Sequence, residues 1–429
     1  MAERVLSYEQ ALEEVLRHAR AVALPAAPER MELQAALGRV LAAPVIAPRD
    51  HPPFDRSTRD GYAIRADDFD ALNTGKALRL IGSVHAGESW SAAPLTSGQA
   101  IEIMTGAPLP AGADAVIMLE HVAVESESLR LSQPRKLRLG EHVVARGSEA
   151  HSGDIVLPVG RRIGAAEIAV AASCGAAQLA VFEQPRVAIV PTGDELVEPS
   201  LTLQAALTDA QIYNSNSHAL AALARNEGGL PFRLHIARDN REDLWDRLAQ
   251  GSMFDLLVLS GGVSMGKHDL VEEMLTKFDA EFFFTGARIQ PGKPIVFGRM
   301  PKRGGDLLPS ERPWQGPWTY FFGLPGNPIS TQVCFHLFAA PLLRALAGET
   351  EIAPRFAEAR LAEQVRANPD LTRFLPAELT SAYDAATIHL VGWQGSGDLA
   401  ANARANCYCV LPPRTEDFAA GETVRVLLR

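Results

Sequence analysis

The sequence predicts a multidomain α/β protein whose centre is a doubly wound, mostly parallel sheet. Three observations carry this expectation. At 429 residues the chain exceeds what one ordinary core encloses. Between Pro185 and Gly348, short continuous apolar runs alternate with amphipathic stretches, the pattern of parallel strands covered on both faces. On either side of that region the apolar runs are short and set among Gly and Pro, the pattern of smaller β-rich units.

The chain begins with a helix signal. Ser7 and Gln10 have capping-box spacing, and Ala11, Leu12, Val15, Leu16 and Ala19 fall on one apolar face. A second short helix is expected over Leu33 to Leu37, ended by Gly38. Pro44, Pro48, Pro52 and Pro53 then impose an extended linker. Leu78–Ile81, Ile101–Met104 and Ala115–Met118 read as strands of a small β-rich domain, and residues 150–182 as a return to helix. Val187–Val190, Leu256–Leu259, Ile295–Phe297 and Tyr320–Phe322 are the sheet strands, with Lys302 to Trp318 a polar surface insertion. Thr387–Val391, Cys407–Leu411 and Val424–Leu428 read as strands of a compact tail. The expected domains are a helical and extended N-terminal domain (1–45 plus 150–182) and a small β-rich inserted domain (46–149). An α/β domain (183–349) and a barrel-like all-β domain (350–429) follow.

Composition narrows the function. The net charge is −10 and no Lys/Arg-rich run is interleaved with aromatics, so no nucleic-acid partner is expected. An acidic chain that binds an anion must gather donors locally, in Gly-rich loops, helix N-termini and a few cations. Cys174, Cys334, Cys407 and Cys409 lack CxxC spacing and read as free thiols in a reducing compartment. The charged N-terminus has no apolar leader, and the Ala-rich stretch from Ile163 to Phe182 is broken by Glu167, Ser173 and Gly175. A cytoplasmic protein with no membrane span is expected.

Four loops at strand ends hold the chemistry. They are Thr192-Gly193-Asp194-Glu195, Ser260-Gly261-Gly262-Val263-Ser264-Met265-Gly266, Pro291-Gly292-Lys293-Pro294 and Pro325-Gly326-Asn327-Pro328. Each alone is a turn. Together at one edge of an α/β sheet, where ligands bind, they predict a shared anion site. Adjacent glycines let backbone N–H groups approach phosphate oxygens. Asp269 is either the cap of the following helix or, with Glu195, a Mg²⁺ ligand, because hard carboxylates beside phosphate suit that ion. Asp60-Gly61-Tyr62-Ala63 and Met104-Thr105-Gly106-Ala107-Pro108-Leu109-Pro110 read as turns by spacing alone. The chain has no GxGxxG, no Walker-type phosphate loop and no HExxH, so dehydrogenase, P-loop NTPase and zincin readings lose their support.

These stretches, with Gly38-Arg39-Val40-Leu41-Ala42, Asn214-Ser215-Asn216 and Gln394-Gly395-Ser396-Gly397, resemble the molybdopterin molybdenumtransferases, the family that includes the gephyrin C-terminal domain. The resemblance runs over essentially the whole chain. It implies an elongated four-domain protomer, a homodimer with a cleft shared between subunits, and a Mg²⁺-dependent transferase. In that reaction adenylyl-molybdopterin loses AMP as molybdate is ligated by the dithiolene, and a pterin adenylyltransferase is the upstream partner. Carried over by position, Asp60, Glu195 and Asp269 match the functional acids and Thr105 the cleft. Lys293, Pro294, Ser330 and Ser396 match the molybdate-binding positions. Gly106, Thr192, Asp194, Ser260, Gly261, Gly262, Ser264, Gly326, Asn327 and Pro328 complete the expected substrate set. Gln290 stands where the family often has Lys before Pro-Gly-Lys-Pro, and Pro376 where Arg commonly follows Phe-Leu. Two other readings compete: a pterin adenylyltransferase, disfavoured by the flanking domains, and a non-catalytic dimeric scaffold, disfavoured by retention of the acids and Lys293.

Overall fold

The computed structural model describes residues 4–24, 28–199, 207–262, 270–303, 316–382 and 385–429. The chain forms two compact units. One contains Met1–Ala43, Val159–Ala165 and Gln178–Arg429; the other contains Pro44–Pro158 and Ala166–Ala177.

The first unit is built on a six-stranded sheet in the order Leu230–Arg233, Arg186–Pro191, Leu256–Ser260, Trp318–Leu324, Val296–Pro301, Glu281–Phe284. Five of these six strands run in one direction, and Val296–Pro301, between Trp318–Leu324 and Glu281–Phe284, is reversed. The Ile295–Phe297 run therefore belongs to a strand that opposes its neighbour. Its continuous apolar character reports burial on two faces and says nothing of direction. Side chains alternate between two cores, as the pleat requires. Val187, Ile189, Leu256, Val258 and Phe322 join one core, with helices Asn216–Asn226 and Pro328–Leu346. Ala188, Val190, Leu257, Leu259 and Phe321 join the other, with helices Arg241–Gly251 and Leu270–Thr276.

Helix Tyr8–Arg20 starts at the expected capping box, with Ser7 Oγ accepting from Gln10 N and Gln10 Oε1 from Ser7 N. Its Tyr8, Ala11, Val15 and Ala19 enter the first core. Residues 33–38 are turns rather than a helix. The preceding segment Glu29–Glu32 is a strand paired with Gln178–Val181, which leaves room for a turn ending at Gly38, φ 78°. Residues 150–182 likewise carry strands Ile155–Leu157 and Gln178–Val181 around a single helix, Ala165–Ser173.

Helix Pro328–Leu346 is long and apolar enough to cross a membrane by length and composition, but it is completely buried within the unit. A π-turn over Phe335–Ala339 lies at its middle. The chain then closes a barrel. Thr372–Ser381 pairs with Ala386–Leu390, that strand with Phe356–Leu361, then Thr423–Leu428, then Cys407–Leu411, which returns to Thr372–Ser381. Cys334, Cys407 and Cys409 are buried free thiols. The expected insertion after Lys302 falls largely outside the described residues; at its base Pro301 pairs with Trp318.

The second unit has a six-stranded sheet in the order Ala115–Met118, Gly61–Ile64, Gln99–Ile103, Leu78–Val84, Ser128–Leu131, Val122–Glu125. All three apolar runs expected as strands lie in it. Ile64, Phe69, Leu72 and Leu78 fill one side, and Val84, Leu95, Ile101 and Ile103 the other.

His336 lies in the π-turn, and its Nε2 finds no hydrogen-bond partner among the described residues. Burial, aided by Arg429 and Arg344 and opposed by Glu227, pushes its pKa down to about 4. A histidine with a depressed folded-state pKa is protonated first in the unfolded chain. Its stabilising contribution is full above an unfolded pKa of about 6.5 and is lost as pH falls from there toward the folded value. Between pH 7.5 and 4.5 the protein should lose roughly 2–3 kcal/mol more stability than the His336→Leu variant, at about 1.4 kcal/mol per pH unit below the unfolded pKa. Denaturant titrations at both pH values measure this, and equal losses would rule out His336 as the source.

Candidate functional site

Three strand ends, one strand beginning and a loop of the barrel surround one cavity of about 860 Å³ in the first unit. Its position follows from the sheet. Pro191, Ser260 and Leu324 are paired in register at the carboxyl ends of adjacent parallel strands. The loops that follow must therefore open side by side. Pro294 reaches the same edge from the other direction. It precedes the antiparallel strand, whose first residue Val296 pairs with Gly323. The Pro291–Pro294 loop thus sits at a strand beginning, and the shared edge survives.

Thr192, Glu195, Ser260, Gly261, Gly262, Pro294, Gly326, Asn327 and Pro328 all line the cavity. The close approach depends on glycine. Gly261 and Gly262 have φ of 97° and 67°, and a Cβ at either would lie 2.8 Å from an oxygen of Thr192. A Cβ on Gly193 would collide with the Glu195 carboxylate, which folds back across it. That carboxylate has no side-chain partner among the described residues and stands exposed.

Hydrogen bonds fix the loops to one another. Thr192 N donates to Ser260 O (3.0 Å) and Gly261 N to Leu324 O (3.1 Å). Asn216 Nδ2 donates to both Ser260 Oγ (3.0 Å) and Gly326 O (2.7 Å), joining the second and fourth loops. Asn327 Nδ2 donates to Ser396 Oγ (2.8 Å), and Ile329 N to Ser396 O (2.9 Å). The barrel loop is thereby tied to the start of the buried helix, and Gly397 and Leu399 join the cavity wall. A third anchor is Arg238, whose Nη1 donates to the carbonyls of Gly193 (3.4 Å), Asp194 (3.0 Å) and Leu196 (3.3 Å).

Several expected residues lie elsewhere. Ser330 is buried inside its helix and is not part of the cavity wall. Lys293 is exposed outside the wall, with its carbonyl accepting from Ala287 N and Ile295 N. Asp194 is exposed and accepts from Asp239 N (3.2 Å). Ser264 and Asp269 lie outside the described residues. Asp60, Thr105 and Gly106 belong to the second unit. There Asp60 Oδ1 accepts from Thr105 N at 2.7 Å. The backbone N–H of Thr105, followed by its hydroxyl, holds the Asp60 carboxyl below the usual carboxylate range. Gln290 pairs in register with Arg373 of the barrel, so a guanidinium-bearing residue neighbours the position where the family often has Lys.

Asn216, Asp239, Ile212 and Tyr213 line the cavity but were not among the residues expected there. The Asn214-Ser215-Asn216 triplet was the available signal for Asn216, since an amide at a helix start can serve neighbouring loops. Among the described residues no group of three or more His, Cys, Asp or Glu is placed to hold a metal.

Asn216→Ala removes two hydrogen bonds and should cost about 1–3 kcal/mol at roughly 0.5–1.5 kcal/mol each. Calorimetry measures the loss, and an unchanged melting temperature would show that the loops hold their positions without Asn216.

The chain also matches known proteins along most of its length. The MoeA N-terminal region (domain I and II) matches residues 6–175, a probable molybdopterin binding domain residues 188–345, and the MoeA C-terminal region (domain IV) residues 358–428. The molybdopterin molybdenumtransferase of Nostoc sp. is 33% identical, with 93% of this chain and 88% of that protein covered. The enzyme of the same name from Staphylococcus aureus is 32% identical over 92% of this chain and 90% of its own length. The crystal structure of the molybdopterin biosynthesis MoeA protein from Pyrococcus horikoshii OT3 superposes with a TM-score of 0.75 at 26% identity, covering 99% of this chain and 100% of that one. Another, from Pyrococcus horikosii, has a TM-score of 0.67 at 32% identity, with 99% of each chain covered. With these three regions matched in order along the chain and relatives above 30% identity covered over most of their length, the chain belongs to the molybdopterin molybdenumtransferases, a family of transferases in molybdenum cofactor biosynthesis.

Proposed function

We propose that this chain cleaves adenylyl-molybdopterin and inserts molybdate into the pterin dithiolene, releasing AMP. The observation that carries the reading is the convergence of Thr192, Gly261, Gly262 and Asn327 on one cavity. Gly261 and Gly262 let their loop pack against Thr192, where a Cβ would collide, and both glycines line the cavity, where backbone N–H groups suit the oxygens of a phosphate or an oxyanion. Thr192 and Ser260 add hydroxyls, and Asn327 is held in place by Ser396. Lys293, exposed and outside the wall, enters the reading as a cation through the family resemblance.

Of the two carboxylates expected to hold Mg²⁺, the described residues include Glu195. The Glu195 carboxylate is exposed at the cavity and unpaired among the described residues, a hard oxygen donor suited to that ion. Glu195, with Asp269, would hold it, and bound Mg²⁺ would neutralise phosphate charge. The chain's own groups do the remaining work. Gly261 and Gly262 keep their loop packed against Thr192 at the cavity wall, and Asn216 ties that loop to Gly326. Asp60 and Thr105 enter the reading through the family resemblance, as do a homodimer, an upstream pterin adenylyltransferase and a cytoplasmic location.

Purified protein given adenylyl-molybdopterin, Mg²⁺ and molybdate should release AMP, faster with molybdate than without. Binding of the adenylate with no turnover under any divalent metal would overturn the reading in favour of a scaffold. Glu195→Gln removes one charge from the proposed metal site and should raise the Mg²⁺ concentration for half-maximal rate by about tenfold or more, equivalent to about 1.4 kcal/mol. An unchanged Mg²⁺ dependence would remove Glu195 from that site.

A further inference from the structure

The second unit gathers positive charge on one strap of chain that takes no part in the site described. Residues 132–141 lead irregularly from strand Ser128–Leu131 to the side of strand Ala115–Met118, where Gly140 N donates to Asp114 O (2.9 Å) and Val116 N to Glu141 O (3.0 Å). The strap is pinned along its length. Arg135 N donates to Asn73 Oδ1 (3.1 Å), Asn73 Nδ2 to Arg135 O (2.9 Å), and Arg138 N to Glu141 Oε2 (2.8 Å). Leu137 packs against the core on one side of the sheet. The inward residues therefore fix the backbone, and Lys136, Arg138 and Leu139 are left exposed.

Two more cations flank them. Arg130 Nη1 donates to Gly75 O at 2.6 Å, which sets Lys76 beside the start of the strap. The acids at hand are engaged elsewhere, Asp67 with Arg65 and Glu141 with Arg135. Among the described residues Lys76, Arg130, Lys136 and Arg138 form no ion pair. Leu139 is 75% exposed, more than any other large apolar side chain among the described residues. A lone exposed leucine is ordinary. A leucine on a pinned backbone with four unpaired cations about the strap has the layout of an interface, an apolar anchor within a charged rim.

We propose that this strap docks an acidic protein segment, whose carboxylates face Lys76, Arg130, Lys136 and Arg138 and whose apolar side chains enclose Leu139. The sign of the rim sets the sign of the partner, in a chain whose own net charge is −10. A nucleic acid fits less well, because none of these residues is an aromatic that could stack a base. An anionic bilayer also fits less well. It is an extended plane and would meet Glu125 and Glu127 of the adjoining hairpin and Asp70 of the adjoining helix, all exposed. A protein segment covers the strap alone.

The full-length protein should be titrated, by fluorescence anisotropy, against a labelled peptide of glutamates with interspersed leucines. The same peptide with glutamine for glutamate, phosphatidylserine vesicles and a single-stranded oligonucleotide serve as comparisons. The glutamate peptide should bind best, and its affinity should fall as salt is added. Lys136→Glu/Arg138→Glu should weaken it by about tenfold or more, and Lys136→Ala/Arg138→Ala in the same direction by less. Leu139→Ser should also weaken it by about tenfold while leaving the salt dependence as it was. AMP release should be unchanged in all three variants, which confirms that they fold. Absence of peptide binding at low salt, or equal affinity in wild type and variants, would overturn the proposal. Preferential binding of the vesicles or the oligonucleotide, lost in the same variants, would overturn it in favour of that partner.

Discussion

Burial of one helix organises the first unit. Pro328–Leu346 has no solvent-facing side, so every face of it needs a cover. The sheet, the N-terminal helix Tyr8–Arg20 and the barrel all contribute residues to the core around it. Its polar residues are handled individually. Gln332 Oε1 accepts from Asn402 Nδ2 (2.9 Å), and Asn402 Oδ1 accepts from the Tyr408 hydroxyl (3.0 Å), a buried chain that runs from helix to barrel strand. At the far end Arg344 Nε meets Glu227 at 2.6 Å and its Nη1 meets the Ala353 carbonyl. Buried polar groups are costly unless paired, so these contacts fix one arrangement of barrel on helix. The helix begins at the carboxyl edge of the sheet, which means the same constraint places Asn327 and the Ser396 loop at the cavity.

The site shows a division of labour between backbone and side chain. Glycines at positive φ let neighbouring loops pack together, and amides tie them. Asn216 and Asn327 each bridge two loops. Such cross-links reduce the reorganisation needed when an anion arrives, which is where preorganised sites gain their advantage.

Much of this was legible in the sequence because it is local. The capping box at Ser7, the apolar strands and the Gly-rich loops each depend on a few neighbouring residues. What escaped depends on partners distant along the chain. The direction of the Val296–Pro301 strand is set by its hairpin with Trp318–Leu324, while its apolar run records only burial. The turn at 33–38 replaces a helix because Glu29–Glu32 pairs with a strand about 150 residues later. Ser330 and Asn216 show the same limit at the site. Ser330 follows a recognisable loop yet turns inward with its helix, whereas Asn216, remote in sequence, reaches two loops at once. The match to the family motif located the loops but could not say which side chains face the cavity.

The N-terminal helix has a consequence for how the chain is made. Tyr8, Ala11, Val15 and Ala19 bury against a core that includes Phe284, Phe338 and Leu342. During synthesis the helix leaves the ribosome well before the residues that will cover its apolar face, which are translated hundreds of codons later. The unit of Pro44–Pro158 and Ala166–Ala177 is complete well before then. Until those residues are made, the apolar face of the helix has no cover from this core. Its capping box and its Glu14–Arg17 pair at 2.6 Å are local and need no later partner, so they can hold the helix together while it waits.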